Sequence, residues 1–221
     1  MVDGSVRGIA HDEENDSEFD DVYMAIGNYI TRFSEVIHLM RQQIADYLAP
    51  ASERFRTPVS PLLDALFDKM TAGPVVESYF AMSSQAANLD RDDTQIRSTL
   101  RKLMVAQVEF RNQIAHADWH VGWRYADTKE AIPFTVRKTK SSGLGYPVLT
   151  DLDLTPASIC AEVCALQELF HTVMLFGSVC RMRQRGVEAK LTEVLEVVRD
   201  GSATVREREN WEERYNSWVT S

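Results

Sequence analysis

The chain is poor in several features that define large protein classes. Cysteine is scarce: 221 residues hold only Cys160, Cys164 and Cys180. An odd count, with two of the three four residues apart in a helical pattern, argues against a disulfide framework. Long apolar runs are also missing, since none approaches the ~20 residues of a membrane span. The first residues, "MVDGSVRGIAHDEEND", lack the basic-then-apolar pattern of a secretion signal. These absences lead to the expectation of a cytoplasmic protein with no membrane partner. A lone His without partner ligands at metal spacing is not a site, so neither a metal nor another cofactor is expected.

Positive charge is short as well. Lys and Arg number 24 against 33 Asp and Glu, for a net charge of −9. The deficit is local. Residues 1–21 hold eight acids and one base, −7 of that total, leaving −2 for the other 200 residues. The acidic total therefore does not exclude a phosphate-bearing partner. Residues 1–18 read as an acidic, flexible leader.

What remains is ordinary globular composition, 44% hydrophobic and 26% charged, at a length that supports a sizeable core. Apolar residues spaced three and four apart from Phe19 to Leu48 predict a long amphipathic helix, with Ser17 as its cap and Pro50 as its stop. "TPVSPLLDALFDKMTAG" reads as a short helix ending near Gly73, and "PVVESYFAMSSQAANL" as a third. A long fourth helix is expected to follow, capped by Asp92 or Asp93 and carrying Ile96, Leu100, Leu103 and Met104 on its apolar side. After Trp119 the pattern alternates, predicting two or three antiparallel strands at about 120–150. Thr155 and Pro156 then open a fifth, central helix. "GVEAKLTEVLEVVRDG" reads as helical, and Trp211, Tyr215 and Trp218 predict a last helix docked within residues 201–221. The expected fold is an all-α bundle over residues 19–200 with a small antiparallel β-hairpin insertion.

One stretch carries chemistry: "VEFRNQIAHADWH", late in the fourth helix. At ~100° per residue Asn112 and His116 share a stripe, and the long arm of Arg111 can reach to join them. An imidazole gives or takes a proton near neutrality. A guanidinium holds a phosphate or a pentavalent oxyanion through forked hydrogen bonds, and an amide orients either. The set suits cleavage of RNA by its own 2′-hydroxyl, which needs no metal. The bland reading is a solvated helix edge whose terminal His is favoured by the helix dipole.

"RNQIAH" resembles the Arg-polar-x3-His signature of the HEPN superfamily, with Asn112 in the polar position and four residues between Arg111 and His116. Its place late in a long helix of a helical bundle agrees with that resemblance. The resemblance covers the motif and the order of helices, and leaves the β insertion and the tail unplaced. It implies a HEPN-like helical fold and a homodimer whose two motifs face each other across a shared cleft. It also implies a metal-independent endoribonuclease of a toxin–antitoxin or antiviral defence system. His116 would then be the acid/base, Arg111 the stabiliser of phosphorane charge and Asn112 the positioning group. An antitoxin or regulatory protein would be a further partner. Two alternatives stay open: a non-catalytic HEPN module that binds RNA or scaffolds, and a helical protein–protein adaptor recognising its partner through the Trp211/Tyr215/Trp218 stripe.

Around the motif, Arg101 on the same helix, His120, and Arg137, Lys138 and Lys140 of "RKTK" are candidate RNA contacts, the last three read as the end of a hairpin where phosphate is easily met. Arg181, Arg183 and Arg185 form another basic group at a helix end. Glu109 and His38 read as solvated. Cys160, Cys164 and His171 read as one face of a buried helix with a packing role, His171 lying about 16 Å along the axis from Cys160.

Overall fold

Every third or fourth residue of the first long helix is buried. The helix, α1 (Asp16–Leu48), encloses Val22, Ala25 and Tyr29, then Phe33, Val36, Met40, Ile44 and Tyr47. This is the stripe expected of 3.6 residues per turn. It runs along a slightly different line from the one drawn on the sequence. Tyr29 and Val36 lie on it, whereas Tyr23 and Leu48 are more than half exposed.

The computed structural model describes residues 9–11, 16–48, 59–120, 123–125, 127–128, 135–141, 147–152 and 154–220. The other helices are α2 (Val59–Lys69), α3 (Ala72–Ala87), α4 (Arg91–Ala115), α5 (Pro156–Gln184), the single turn α6 (Leu191–Val194) and α7 (Trp211–Val219). The strands are β1 (Ile9–His11), β2 (Asp118–His120), β3 (Trp123–Tyr125), β4 (Thr135–Ser141), β5 (Pro147–Leu152), β6 (Leu195–Asp200) and β7 (Ser202–Glu207). The chain is mostly helical with small antiparallel sheets. It divides into two compact units, Met1–Ile30 with Phe110–Val163, and Thr31–Glu109 with Cys164–Ser221.

In the first unit β4 is the centre of a three-stranded sheet, paired with β2 (Asp118↔Arg137) and with β5 (Arg137↔Asp151 to Ser141↔Pro147). This is the expected insertion. β3 pairs instead with β1, Ile9 opposite Tyr125 and His11 opposite Trp123. Three residues of the segment read as a leader are thus a strand, and α1 starts at Asp16, one residue before the expected cap Ser17. The rest of that leader, and the stop at Pro50, lie outside the described residues. Tyr29 is fully buried against Phe110, their rings edge to face at 5.0 Å.

In the second unit Tyr79, Phe80 and Phe176 form an aromatic cluster with centroids 5.0–6.1 Å apart. Leu100, Met104, Leu166 and Val173 are buried in the same unit. By length and composition α5 is apolar enough to cross a membrane, contrary to the reading that no such run exists. Just over half of its most apolar window, 56%, is buried in the protein, as in a core helix. Gly73 lies in the first turn of α3 rather than closing α2.

Two helix starts are held by reciprocal caps. Asp93 N–H donates to the Asp90 carboxylate (2.9 Å) and Asp90 N–H to that of Asp93 (3.2 Å). The cap of α4 is therefore Asp90, with Asp93 as its return partner, not Asp92 or Asp93 alone. At α5 the expected cap is present: Ser158 N–H donates to Thr155 Oγ1 (3.1 Å), and Thr155 N–H to Ser158 Oγ (2.9 Å).

Residues 195–207 correct the sequence reading. They form the hairpin β6–β7, with Val197 opposite Val205, so α6 is one turn long and the last helix begins only at Trp211. Leu191, Val194, Leu195 and Val198 do sit at helical spacing. The β-branched Val197, Val198, Thr204 and Val205 favour a pleated strand, however, and Asp200-Gly201 is a hairpin signal. Gly201 occupies the tip with φ 82°, which a side chain would resist. The α7 aromatics Trp211, Tyr215 and Trp218 are half-buried, and the first two meet edge to face at 6.2 Å.

α5 and α1 approach closely at Gly177. A Cβ built there would lie 2.7 Å from Gln43 Nε2 and closer still to the other atoms of that carboxamide. Gln43 is 1% exposed and donates to the Met174 carbonyl (3.3 Å). Gly177→Ala should therefore cost about 1–3 kcal/mol as overpacking. Denaturant unfolding checks this, and Gln43→Ala in the same chain should recover much of the loss, because the two sites share one space.

Cys160 and Cys164 are exposed, contrary to the expectation of a buried face, and His171 is exposed as well. Only Cys180 is buried, and burial pushes its thiol up to about 12. Since the thiolate is the nucleophile, a thiol reagent at neutral pH should label two cysteines in the folded chain and three after denaturation. The same shift ties Cys180 to stability. Its contribution is complete below the thiol's ordinary value of 9.0 and is lost as pH rises toward about 12, because the unfolded chain ionises first.

Candidate functional site

The last turn of α4 carries the motif, inside the first unit. Arg111 is half-buried and Asn112 is exposed. The Arg111 guanidinium donates through Nη1 to Asn112 Oδ1 at 3.3 Å. His116 is the first residue past the helix, and its backbone N–H donates to the Asn112 carbonyl at 3.2 Å. Its imidazole is exposed, at the end of the helix where the macrodipole is negative.

Trp119 closes this end. Its indole N–H donates to the Ile114 carbonyl at 3.2 Å, satisfying one of the carbonyls that a helix leaves without a partner. The chain then turns directly into β2.

Two neighbours of the motif were not legible in the sequence. Burial pushes the Tyr29 phenol well above its ordinary value; the Glu162 carboxylate raises it further, and the Arg111 guanidinium opposes both. Arg111 therefore acts on the same buried phenol as Glu162. Glu162 sits two turns into α5, and no local signal relates it to a residue 51 positions earlier. Tyr29 was obscured because the apolar stripe of α1 was drawn through its neighbours.

The other basic candidates fare differently. Arg101 belongs to the second unit and is engaged by Glu77 through two hydrogen bonds, from Nε at 2.9 Å and Nη2 at 2.7 Å. Arg181 pairs with Asp46, and Arg183 with Asp93. All three arginines meet carboxylates of their own unit, so their charge is balanced locally. "RKTK" lies within the central strand β4, with Lys138 opposite Thr150 and Lys140 opposite Val148, one pair before the ladder ends at Ser141 and Pro147. His120 pairs with Thr135 in β2–β4. The side chains of His120, Arg137, Lys138 and Lys140 lie outside the described residues. Glu109 and His38 are exposed, as expected. Among the described residues no three His, Cys, Asp or Glu side chains come together as a metal site.

The arrangement at residues 111–116 offers a guanidinium braced by an amide, with an exposed imidazole one turn on. Such a set can bind an oxyanion and move a proton beside it. In comparisons with protein-family models, curated proteins and solved structures, nothing matches the chain.

Proposed function

We propose that the chain is a HEPN-like endoribonuclease that cuts RNA without a metal, working as a homodimer with the motifs of both protomers at one cleft. The observation that carries this reading is the contact of Arg111 with Asn112 at an exposed helix end, one turn before the exposed His116. In the reaction the 2′-oxygen attacks phosphorus and the bond to the 5′-oxygen breaks. The proton of the 2′-hydroxyl passes to one imidazole, and the 5′-oxygen receives a proton from the other. The products are a 2′,3′-cyclic phosphate and a 5′-hydroxyl. A second His116, supplied by the partner copy, lets the acid and the base be separate groups. Arg111 bears the charge that develops on the phosphoryl oxygens, and Asn112 fixes the guanidinium. A cytoplasmic role in defence, restrained by an antitoxin or regulatory protein, follows from the same reading.

The test is incubation of mixed RNA with the purified chain in EDTA, beside His116→Ala and Arg111→Ala. Cleavage by the unsubstituted chain alone, leaving cyclic phosphate ends, is the expected result. Equal cleavage by all three proteins would identify a contaminant and end the proposal. Binding of RNA without cleavage by any of them would favour the non-catalytic module.

A further inference from the structure

Two thiols of α5 have no part in the motif. Cys160 and Cys164 are both exposed, although cysteine is among the residue types most often buried. A packing role does not explain them, because the inward side of the same turns is supplied by Ile159 and Leu166, both fully buried. The pair is carried by one continuous helix, whose start is held by the reciprocal Thr155–Ser158 cap just before Cys160. Its spacing is therefore set by that helix alone. Residues four apart stand one above the other, with Cβ atoms about 5–6 Å apart. Ala157, Ala161 and Ala165 beside them are exposed as well, and such small side chains leave the approach to both sulfurs open.

A direct disulfide does not suit the wound helix, since it needs Cβ atoms about 3.5–4.5 Å apart. A bridging ion does, because two metal–sulfur bonds of about 2.3 Å each span the larger gap. The choice of ion follows from what surrounds the pair. Structural Zn(II) and iron–sulfur clusters are held by four ligands. Among the described residues no three His, Cys, Asp or Glu side chains come together. His171 is on the same helix but about 10 Å along the axis from Cys164, and its Nδ1 faces Glu207 at 3.7 Å. Cu(I) is soft, is drawn to thiolates and is satisfied by two of them in line.

We propose that Cys160 and Cys164 form a two-coordinate site for Cu(I), each sulfur giving up its proton as it binds. The ion bridges one turn of α5 and keeps its oxidation state. The site uses no residue of the 111–116 motif and so stands apart from the ribonuclease reading.

The test is anaerobic titration of the reduced full chain with Cu(I) held by the chromophoric chelator bicinchoninate. The unsubstituted chain should withdraw one equivalent of copper. Cys160→Ser and Cys164→Ser should each weaken binding by about 10²-fold or more, as a two-point attachment becomes a one-point one. Both positions are exposed, so melting profiles should be unchanged. The double variant Cys164→Ser/Ala165→Cys keeps the number of thiols but sets the second about 140° round the helix from Cys160. It should bind as weakly as the single variants, which separates a spaced pair from thiols or methionines acting alone. Failure of the unsubstituted chain to withdraw copper would overturn the proposal. So would equal affinity in the shifted pair or in either single variant.

Discussion

Arg183→Ala should lower the free energy of unfolding by about 3–5 kcal/mol, read as a lower denaturant midpoint at unchanged slope. The size of the effect comes from what the substitution leaves behind. The Asp93 side chain is 1% exposed. Its Oδ2 accepts from Arg183 and, at 3.2 Å, from the Asp90 N–H, while its Oδ1 has no hydrogen-bond partner among the described residues. Without the guanidinium, a buried carboxylate keeps one backbone donor. Arg183 also donates from Nε to the Ala189 carbonyl, which loses that bond in the same step. Arg183→Lys preserves charge without the planar fork and should fall between the two. Arg183→Met combined with Asp93→Asn removes both charges yet keeps an oxygen for the Asp90 cap. That pair should recover most of the loss, since a buried ion pair contributes little over neutral groups of similar shape. A midpoint unchanged by Arg183→Ala would show that the pair does not hold α4 to α5.

On the proposed ribonuclease reading, His116→Ala should slow RNA cleavage by about 10²–10⁴-fold, the usual contribution of a positioned acid or base. On the same reading, Arg111→Ala would remove the proposed oxyanion contact and should cost about 10²–10³-fold. Stability separates chemistry from folding. His116 is exposed, so its replacement should move the unfolding free energy by less than about 0.5 kcal/mol. Arg111 is half-buried, so its replacement should also be felt in stability through lost side-chain packing. Arg111→Lys keeps charge but cannot fork onto a phosphate, and should stay close to Arg111→Ala in rate. Rates within twofold of the unsubstituted chain for His116→Ala would remove the imidazole from the mechanism.

Local signals explain what the sequence reveals of this fold. The extents of α4 and α5 are visible because Thr155-Pro156 opens one and a run of Asp residues the other, each at the start of an apolar periodicity. The insertion near residues 118–152 is visible through alternation. The β6–β7 hairpin was hidden by a coincidence of period: Leu191, Val194, Leu195 and Val198 satisfy a helix, and the Asp200-Gly201 turn was the stronger signal. The pairing of β1 with β3 joins residues more than a hundred positions apart, which no local pattern encodes. At the motif, spacing placed Asn112 and His116 one turn apart, and the reach of Arg111 to Asn112 followed from side-chain length. Their neighbours Tyr29 and Glu162 come from distant helices and emerged only with the fold. For Arg101 and Arg183, sequence shows a cation but not the carboxylate that answers it.

The indole that caps α4 has an optical consequence. Trp119 is a fluorophore whose N–H is tied to the backbone of the turn preceding His116. Emission from a hydrogen-bonded indole shifts when that bond is exchanged for water. With Trp123, Trp211 and Trp218 replaced by Phe, the chain would carry one emitter, placed at the helix end by its own sequence. Its colour and lifetime would report, without any attached dye, whether that end stays wound as a ligand arrives or frays before the rest of the chain.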